Sequence, residues 1–260
     1  MAQKEEGLFA RLSPRGRAIR KKQQEVDAYV GARMAAAREV DLSYGKIPQD
    51  KVVDMVLASD MERIRLTLES TDRQAFRMAV DMILHARTIY VAGIRSCAPL
   101  ASFLAFYLHQ IFRDVRLITT NSTEEIFEQL IRIGEEDVLI GISFPRYSMR
   151  TLKAMEFADT RKAGTISITD SEHSPLTLYS SCHLTAKSDM ASIVDSLVAP
   201  LSLINALIVA LCMNRQKEVS RYLKEDDAIW EEYQVYRRDE LNRADEEANM
   251  SLIDPEKEHP

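Results

Sequence analysis

The chain has 260 residues, a net charge of -6, 46% hydrophobic content and eight each of Gly and Pro, so it can bury a sizeable core and is neither fibrous nor disordered. Three cysteines (Cys97, Cys182 and Cys212), odd in number and far apart, exclude a disulfide framework or zinc knuckle and point to a reducing, cytoplasmic compartment. The start has no apolar signal core, and the long apolar stretch 193–213 is broken by Asp195, Pro200 and Asn205, which favours a buried helix over a membrane span.

Charge is unevenly placed. Residues 1–24 hold seven Lys/Arg against two Asp/Glu, and 217–260 hold seven against fourteen. The basic arm, 1–48, fits one amphipathic helix over about 17–38, with Ser13-Pro14 as its start signal and Gly45 and Pro48 as its stop. Linker helices follow over 49–86. The first has Val52, Val53, Val56, Ile64 and Leu68 at helical spacing; the second, capped by Ser70-Thr71-Asp72, carries Phe76, Ala79, Val80, Ile83 and Leu84.

From 87 to 214 strands alternate with helices. Strands are expected over 88–92, 115–119, 138–143, 165–169 and 182–185, with helices over 99–112, 124–133, 148–162 and about 192–214. This alternation specifies a three-layer α/β/α sandwich with a five-stranded parallel sheet, flanked by N- and C-terminal helical extensions. The acidic segment 215–260 reads as a helix through about 247 and a frayed end.

Parallel sheets bind ligands beyond the carboxyl ends of their strands. Three of the expected strands end in hydroxyl-rich loops: Gly93-Ile94-Arg95-Ser96-Cys97, Thr119-Thr120-Asn121-Ser122, and Ser143 through Arg146-Tyr147-Ser148. In the third, Pro145 stops the strand and Ser148 caps the next helix, whose free N–H groups and dipole favour an anion. Serine and threonine cap helices wherever strands turn into them, so each residue alone says little. Three such loops on one edge, two with an arginine, fit a phosphorylated polyol.

No G-x-G-x-x-G, Walker loop or nucleophile elbow follows any strand, so no cofactor is implied. The five histidines form no i, i+4 metal pair. His173 reads as a surface residue and Glu124 and Glu125 as helix-start carboxylates; Glu125 and His173 are the only candidate bases for an isomerase.

Residues 89–213 resemble a sugar isomerase (SIS) domain, and the overall pattern is similar to the RpiR/MurR family of bacterial transcriptional regulators. IYVAGIRSCAPLA resembles that family's strand, G-x-G-x-S and helix: Gly93 matches the first glycine, Arg95 stands at the second and Cys97 at the serine, beside Ser96. DVLIGISFPRYSMRTLKAMEFA resembles its S-x-S-G-x-T segment: Ser143 matches the first serine, Pro145-Arg146 replaces Ser-Gly and Ser148 matches the threonine. AGTISITDSEHSPL matches through Gly164, Thr169, Asp170, Ser174, Pro175 and Leu176, and IVDSLVAPLSLINALIVAL fits the last SIS helix.

The resemblance implies a phosphosugar effector bound by Gly93, Arg95, Ser96, Cys97, Thr119, Asn121, Ser122, Ser143, Arg146, Tyr147 and Ser148. It also implies an N-terminal helix-turn-helix domain on operator DNA, in a cytoplasmic homodimer or homotetramer. A helix-turn-helix domain of this type needs roughly 70–80 residues. Since only 1–48 precede the linker helices and show no recognition-helix pattern, the arm is expected to be a remnant, or to contact phosphates without sequence preference through its basic segment 11–38, or the start site to be a truncated one. The alternatives are an aldose–ketose isomerase on a sugar phosphate, and an SIS protein that acts through partner subunits without binding DNA.

Overall fold

Uninterrupted apolar runs dictate the centre of the molecule. In this computed structural model, which describes residues 22–32, 48–120, 122–188 and 196–233, β1 (Ile89–Gly93) and β3 (Val138–Ile142) are buried along their full length. That is what a parallel strand covered on both faces requires. The edge strand β2 (Val115–Ile118) is buried only at its two ends, with Arg116 exposed. With β4 (Gly164–Thr169) and β5 (Cys182–Thr185) these strands form one parallel sheet in the order β2-β1-β3-β4-β5.

Helices cover both faces, as expected. Ahead of the sheet come α1 (22–32), α2 (Val52–Ser70) and α3 (Arg73–Leu84). Helix α4 (Ala98–Ile111) follows β1, α5 (Thr123–Leu130) follows β2, α6 (Met149–Thr160) follows β3, and α7 (Val198–Asn214) follows β5. One layer joins α2, α3 and α4 to α7; the other joins α5 to α6 over a core that includes Tyr90, Ile118, Leu130, Leu139 and Met155. The chain divides into two compact units, Met1–Asn214 and Arg215–Pro260, and within the second α8 (Gln216–Tyr233) is described. No single helix among the described residues is long and apolar enough to cross a membrane.

Several expected bounds shift. Helix α5 stops at Leu130 rather than 133, where the Ile133 N–H bonds back to the Leu130 carbonyl and Gly134 follows. Helix α7 begins at Val198, not near 192, because the Ser196 hydroxyl is committed to Asp60 (2.6 Å) and to the Val198 N–H (3.5 Å). The predicted arm helix lies outside the described residues at 17–21 and 33–38, and the predicted tail helix from 234 onward.

Helix α2 carries the larger surprise. Its apolar positions face outward, with Val53, Met61 and Leu68 at 65%, 66% and 60% exposure, while its buried residues are Arg63 and Thr67. Hydrogen bonds explain the inversion. Arg63 donates to Asp60 (3.1 Å), which also accepts from Ser196, and the Thr67 hydroxyl accepts from the Lys187 N–H (2.9 Å). The polar side of α2 is therefore the side fastened to the segment after β5.

At the amino edge of the sheet, Arg87 fastens β1 to β3. Its guanidinium donates to both oxygens of Asp137 (3.0 and 2.8 Å), whose side chain is fully buried and also accepts from the Gly134 N–H (2.9 Å). The pair is the planar two-bond geometry that arginine makes and lysine cannot.

Candidate functional site

The strand order places the topological switch point between β1 and β3. From β1 the chain moves outward to β2, then returns past β1 to β3. Helix α4 leaves β1 into one layer and α6 leaves β3 into the other, so the two loops part and open a crevice beyond Gly93 and Ile142, which are in register.

The β1 wall is a tight turn. A Cβ on Gly93 would lie 2.7 Å from the Cys97 carbonyl oxygen and 2.8 Å from the Ala101 Cβ, so only glycine lets the turn Arg95–Cys97 fold back on the strand. Arg95 and Ser96 are exposed and Cys97 is buried. With Thr119 and Thr120 at the end of β2, and Ser102 on α4, this turn lines a cleft of ≈ 300 Å³.

The β3 wall is built by two serines. Ser143 is buried, and its hydroxyl accepts from the Ser148 N–H (3.0 Å); the Ser148 hydroxyl in turn caps α6 by accepting from the Thr151 N–H (3.4 Å). The loop is thereby fixed with the amino end of a three-turn helix at the crevice, where amide donors and the dipole favour an anion. Pro145 is buried and Arg146 exposed.

Arg95 and Arg146 share a backbone property that their identities do not announce. Their φ angles are 60° and 67°, in the left-handed region that glycine adopts freely. Holding a β-carbon residue there costs about 1–2 kcal/mol. The third such residue among those described, Lys162, sits in the turn that ends α6, where left-handed residues are routine.

The expected residues separate into groups. Gly93, Arg95 and Thr119 share the cleft, and Ser143, Arg146, Tyr147 and Ser148 lie together on the β3 loop. Ser122 turns to the start of α5, where it caps the Glu125 N–H (3.4 Å) and donates to Glu124 (2.8 Å). Its own backbone N–H, and then the Ser122 hydroxyl, hold the Glu124 carboxyl below its usual range. Thr120 donates to the Glu125 carboxylate. Asn121 lies outside the described residues.

Tyr147 points away from Ser148, to a residue absent from the expected set. Its hydroxyl donates to Asp170 Oδ1 (2.7 Å), while the Tyr29 hydroxyl of α1 donates to Asp170 Oδ2 (2.7 Å). Asp170 follows β4 and is 4% exposed. Around it, Val26 of α1 is buried, Lys22 donates to the Thr177 carbonyl (3.3 Å), and the Tyr29 and His173 rings lie 5.8 Å apart. Helix α1 thus sits on the loop after β4 and shares a carboxylate with the β3 loop. An acid ending a buried strand was the available signal for Asp170; nothing in the sequence marks Tyr29.

His183 on β5 lies near Lys22. Burial, and then the Lys22 charge, push its pKa below the ordinary 6.5, against smaller upward pulls from Glu172 and Asp72. The folded protein binds that proton less readily than the unfolded chain, so stability is complete above about 6.5 and is lost as pH falls below it. Urea midpoints measured from pH 7.5 to 5 are expected to decline, and His183→Gln to flatten that decline.

Other chemistry-bearing groups are otherwise occupied. The Cys182 thiol donates to the Ala75 carbonyl (3.0 Å), and burial raises its pKa to about 11. No group of His, Cys, Asp and Glu among the described residues could hold a metal. A larger concavity, ≈ 340 Å³, lies on the α5 side of β2 at Tyr90, Arg116, Gln129 and Arg132. It is away from the switch point, and Arg116 there is hydrogen-bonded to the Tyr90 hydroxyl and to Asp114.

Comparison with known proteins gives a consistent picture. The family model of the SIS domain matches residues 82–210. The sugar isomerase domain of an RpiR transcription factor from Sphaerobacter thermophilus is 25% identical, with a TM-score of 0.66 over 68% of this chain and 99% of that one. The NanR protein of Vibrio vulnificus, solved with ManNAc-6P, is 19% identical, with a TM-score of 0.63 over 77% of this chain and 74% of its own. Phosphoheptose isomerase from Neisseria gonorrhoeae shares the fold at 16% identity, with a TM-score of 0.54 over 63% of this chain and 99% of its own. No curated protein matches the chain.

Proposed function

We propose, from the premise that residues 82–210 form an SIS domain resembling that of RpiR regulators, that this chain is a cytoplasmic phosphosugar sensor controlling transcription. The observation that carries the reading is the serine-fixed loop at the switch point, which presents the amino end of α6 to the crevice. A phosphate oxyanion suits those amides and the two arginines, and the hydroxyls of Ser96, Ser102, Thr119 and Thr120 suit a polyol.

Sensing needs a part that differs between the free and bound states. The Tyr147–Asp170–Tyr29 link supplies a route. A ligand that draws the β3 loop toward the crevice pulls on the carboxylate holding α1, and so on the basic arm that is to act on DNA. Protomers would pair through helices flanking the sheet, and the outward apolar stripe of α2 supports that arrangement.

An isomerase of the same fold needs a base beside the substrate. Glu125 is engaged by Thr120, and His173 packs against Tyr29 of α1, so the binder is preferred. Calorimetry of the full chain against a panel of hexose and amino-sugar monophosphates tests the reading. Saturable binding is expected, weakened about tenfold by Ser143→Ala or Ser148→Ala, the worth of roughly one hydrogen bond. Heat from none of the panel sinks it, and turnover of an aldose phosphate replaces it with the isomerase.

A further inference from the structure

Among the described residues, two of the three non-glycine positions with left-handed backbone, Arg95 and Arg146, are arginines on the two loops that part at the switch point. Their loops leave neighbouring strands from positions in register, Gly93 opposite Ile142, and both side chains are exposed. Glycine would satisfy either backbone without strain. An arginine at each position adds a guanidinium at a stability cost, and strain held at a ligand site is characteristic of function.

The charge count on the crevice decides what that function is. A monophosphate is already served by one arginine fork and the amino end of α6. The second arginine stands on the opposite wall, beside the cleft of Thr119 and Thr120. The two carboxylates that follow this β2 loop, Glu124 and Glu125, accept from Ser122 and Thr120. A second guanidinium so placed calls for a second anionic group on the ligand.

We infer that Arg95 and Arg146 select a sugar phosphate carrying a second anionic group, a bisphosphate or a phosphorylated sugar acid, over a simple monophosphate. This rests on the crevice being the phosphosugar site and specifies which phosphosugars it takes. Arg95 and Arg146 are specificity-determining residues: each faces one end of the ligand, and the sugar hydroxyls lie between.

Calorimetry of the full chain compares fructose 6-phosphate with fructose 1,6-bisphosphate and 6-phosphogluconate, in the wild type, Arg95→Gly, Arg146→Gly and the double variant. Glycine suits both backbones, so the melting temperatures should not fall, which separates lost binding from lost folding. The doubly anionic ligands should bind about tenfold tighter than fructose 6-phosphate, the increment of roughly one charge-assisted pair. Each single variant should shrink that preference, and the double variant should abolish it. Equal affinity for all three ligands in the wild type overturns the inference, as does a preference that survives in the double variant. If fructose 6-phosphate binds without preference, the phosphosugar reading stands and this inference alone falls. If none of the three binds, this inference falls, and the phosphosugar reading falls with it only if the panel of hexose and amino-sugar monophosphates also gives no heat.

Discussion

Replacing Asp170 by alanine is expected to release helix α1 and to destabilise the protein by about 2–4 kcal/mol. The carboxylate is 4% exposed and accepts two tyrosine hydroxyls at 2.7 Å, each a charge-assisted bond worth roughly 1.5–3 kcal/mol. The loss is discounted because Tyr29 and Tyr147 are only half-buried and their hydroxyls can turn to water. Hydrogen exchange over residues 22–32 should accelerate at least tenfold, since this carboxylate anchors α1 alongside Val26, Lys22 and the Tyr29 ring. Tyr29→Phe and Tyr147→Phe each remove one bond and leave the other. Because both tyrosines share one acceptor, the double variant should lose less or more than the separate losses added together, a coupling of at least about 0.5 kcal/mol. Unchanged exchange in α1 after Asp170→Ala would mean that the arm is held by something other than this carboxylate, and the proposed route from crevice to arm would go with it.

The second large effect is at the opposite edge. Arg87→Ala leaves the fully buried Asp137 carboxylate with the Gly134 N–H as its remaining hydrogen-bond donor, at an expected cost of about 3 kcal/mol. The lower end of the range for broken buried pairs applies because Arg87 itself is more than half exposed and its charge is screened. For a unit of this size that corresponds to a fall of roughly 6–12 °C in melting temperature. Arg87→Lys should recover only part, having no planar fork to match both oxygens. Ligand affinity should be unaffected in either variant, because Arg87 lies at the amino end of β1 and the crevice at its carboxyl end. A loss below 1 kcal/mol would show that water reaches Asp137.

How much of this could be read from the sequence follows from the range of the forces involved. The central strands declared themselves, because β1 and β3 are buried on both faces and read as continuous apolar runs. The Ser148 cap was legible for the same reason of locality: its partner, Thr151, is three residues away. Helix α2 misled because the partners of Asp60 and Thr67, Ser196 and Lys187, lie 136 and 120 residues further on. Periodicity alone cannot tell an apolar stripe that faces in from one that faces out. Asp170 stayed hidden as a junction because Tyr29 is 141 residues away. The left-handed backbone at Arg95 and Arg146 was invisible for a different reason, since only glycine and asparagine advertise that conformation by their identity. The SIS resemblance marked both positions as places where glycine is usual; the φ angles show that both arginines hold a backbone conformation that glycine adopts freely.

The central claim is that a phosphosugar binds where β1 and β3 part. Amide chemical shifts of the labelled full chain, followed during titration with fructose 1,6-bisphosphate, test it most directly. The largest changes should fall on Gly93 through Ser96 and on Tyr147 through Arg150, with smaller ones at Tyr29 passed on through Asp170. Saturable shifts confined to the concavity at Arg116 and Arg132, or no shifts at any ligand excess, would contradict the account.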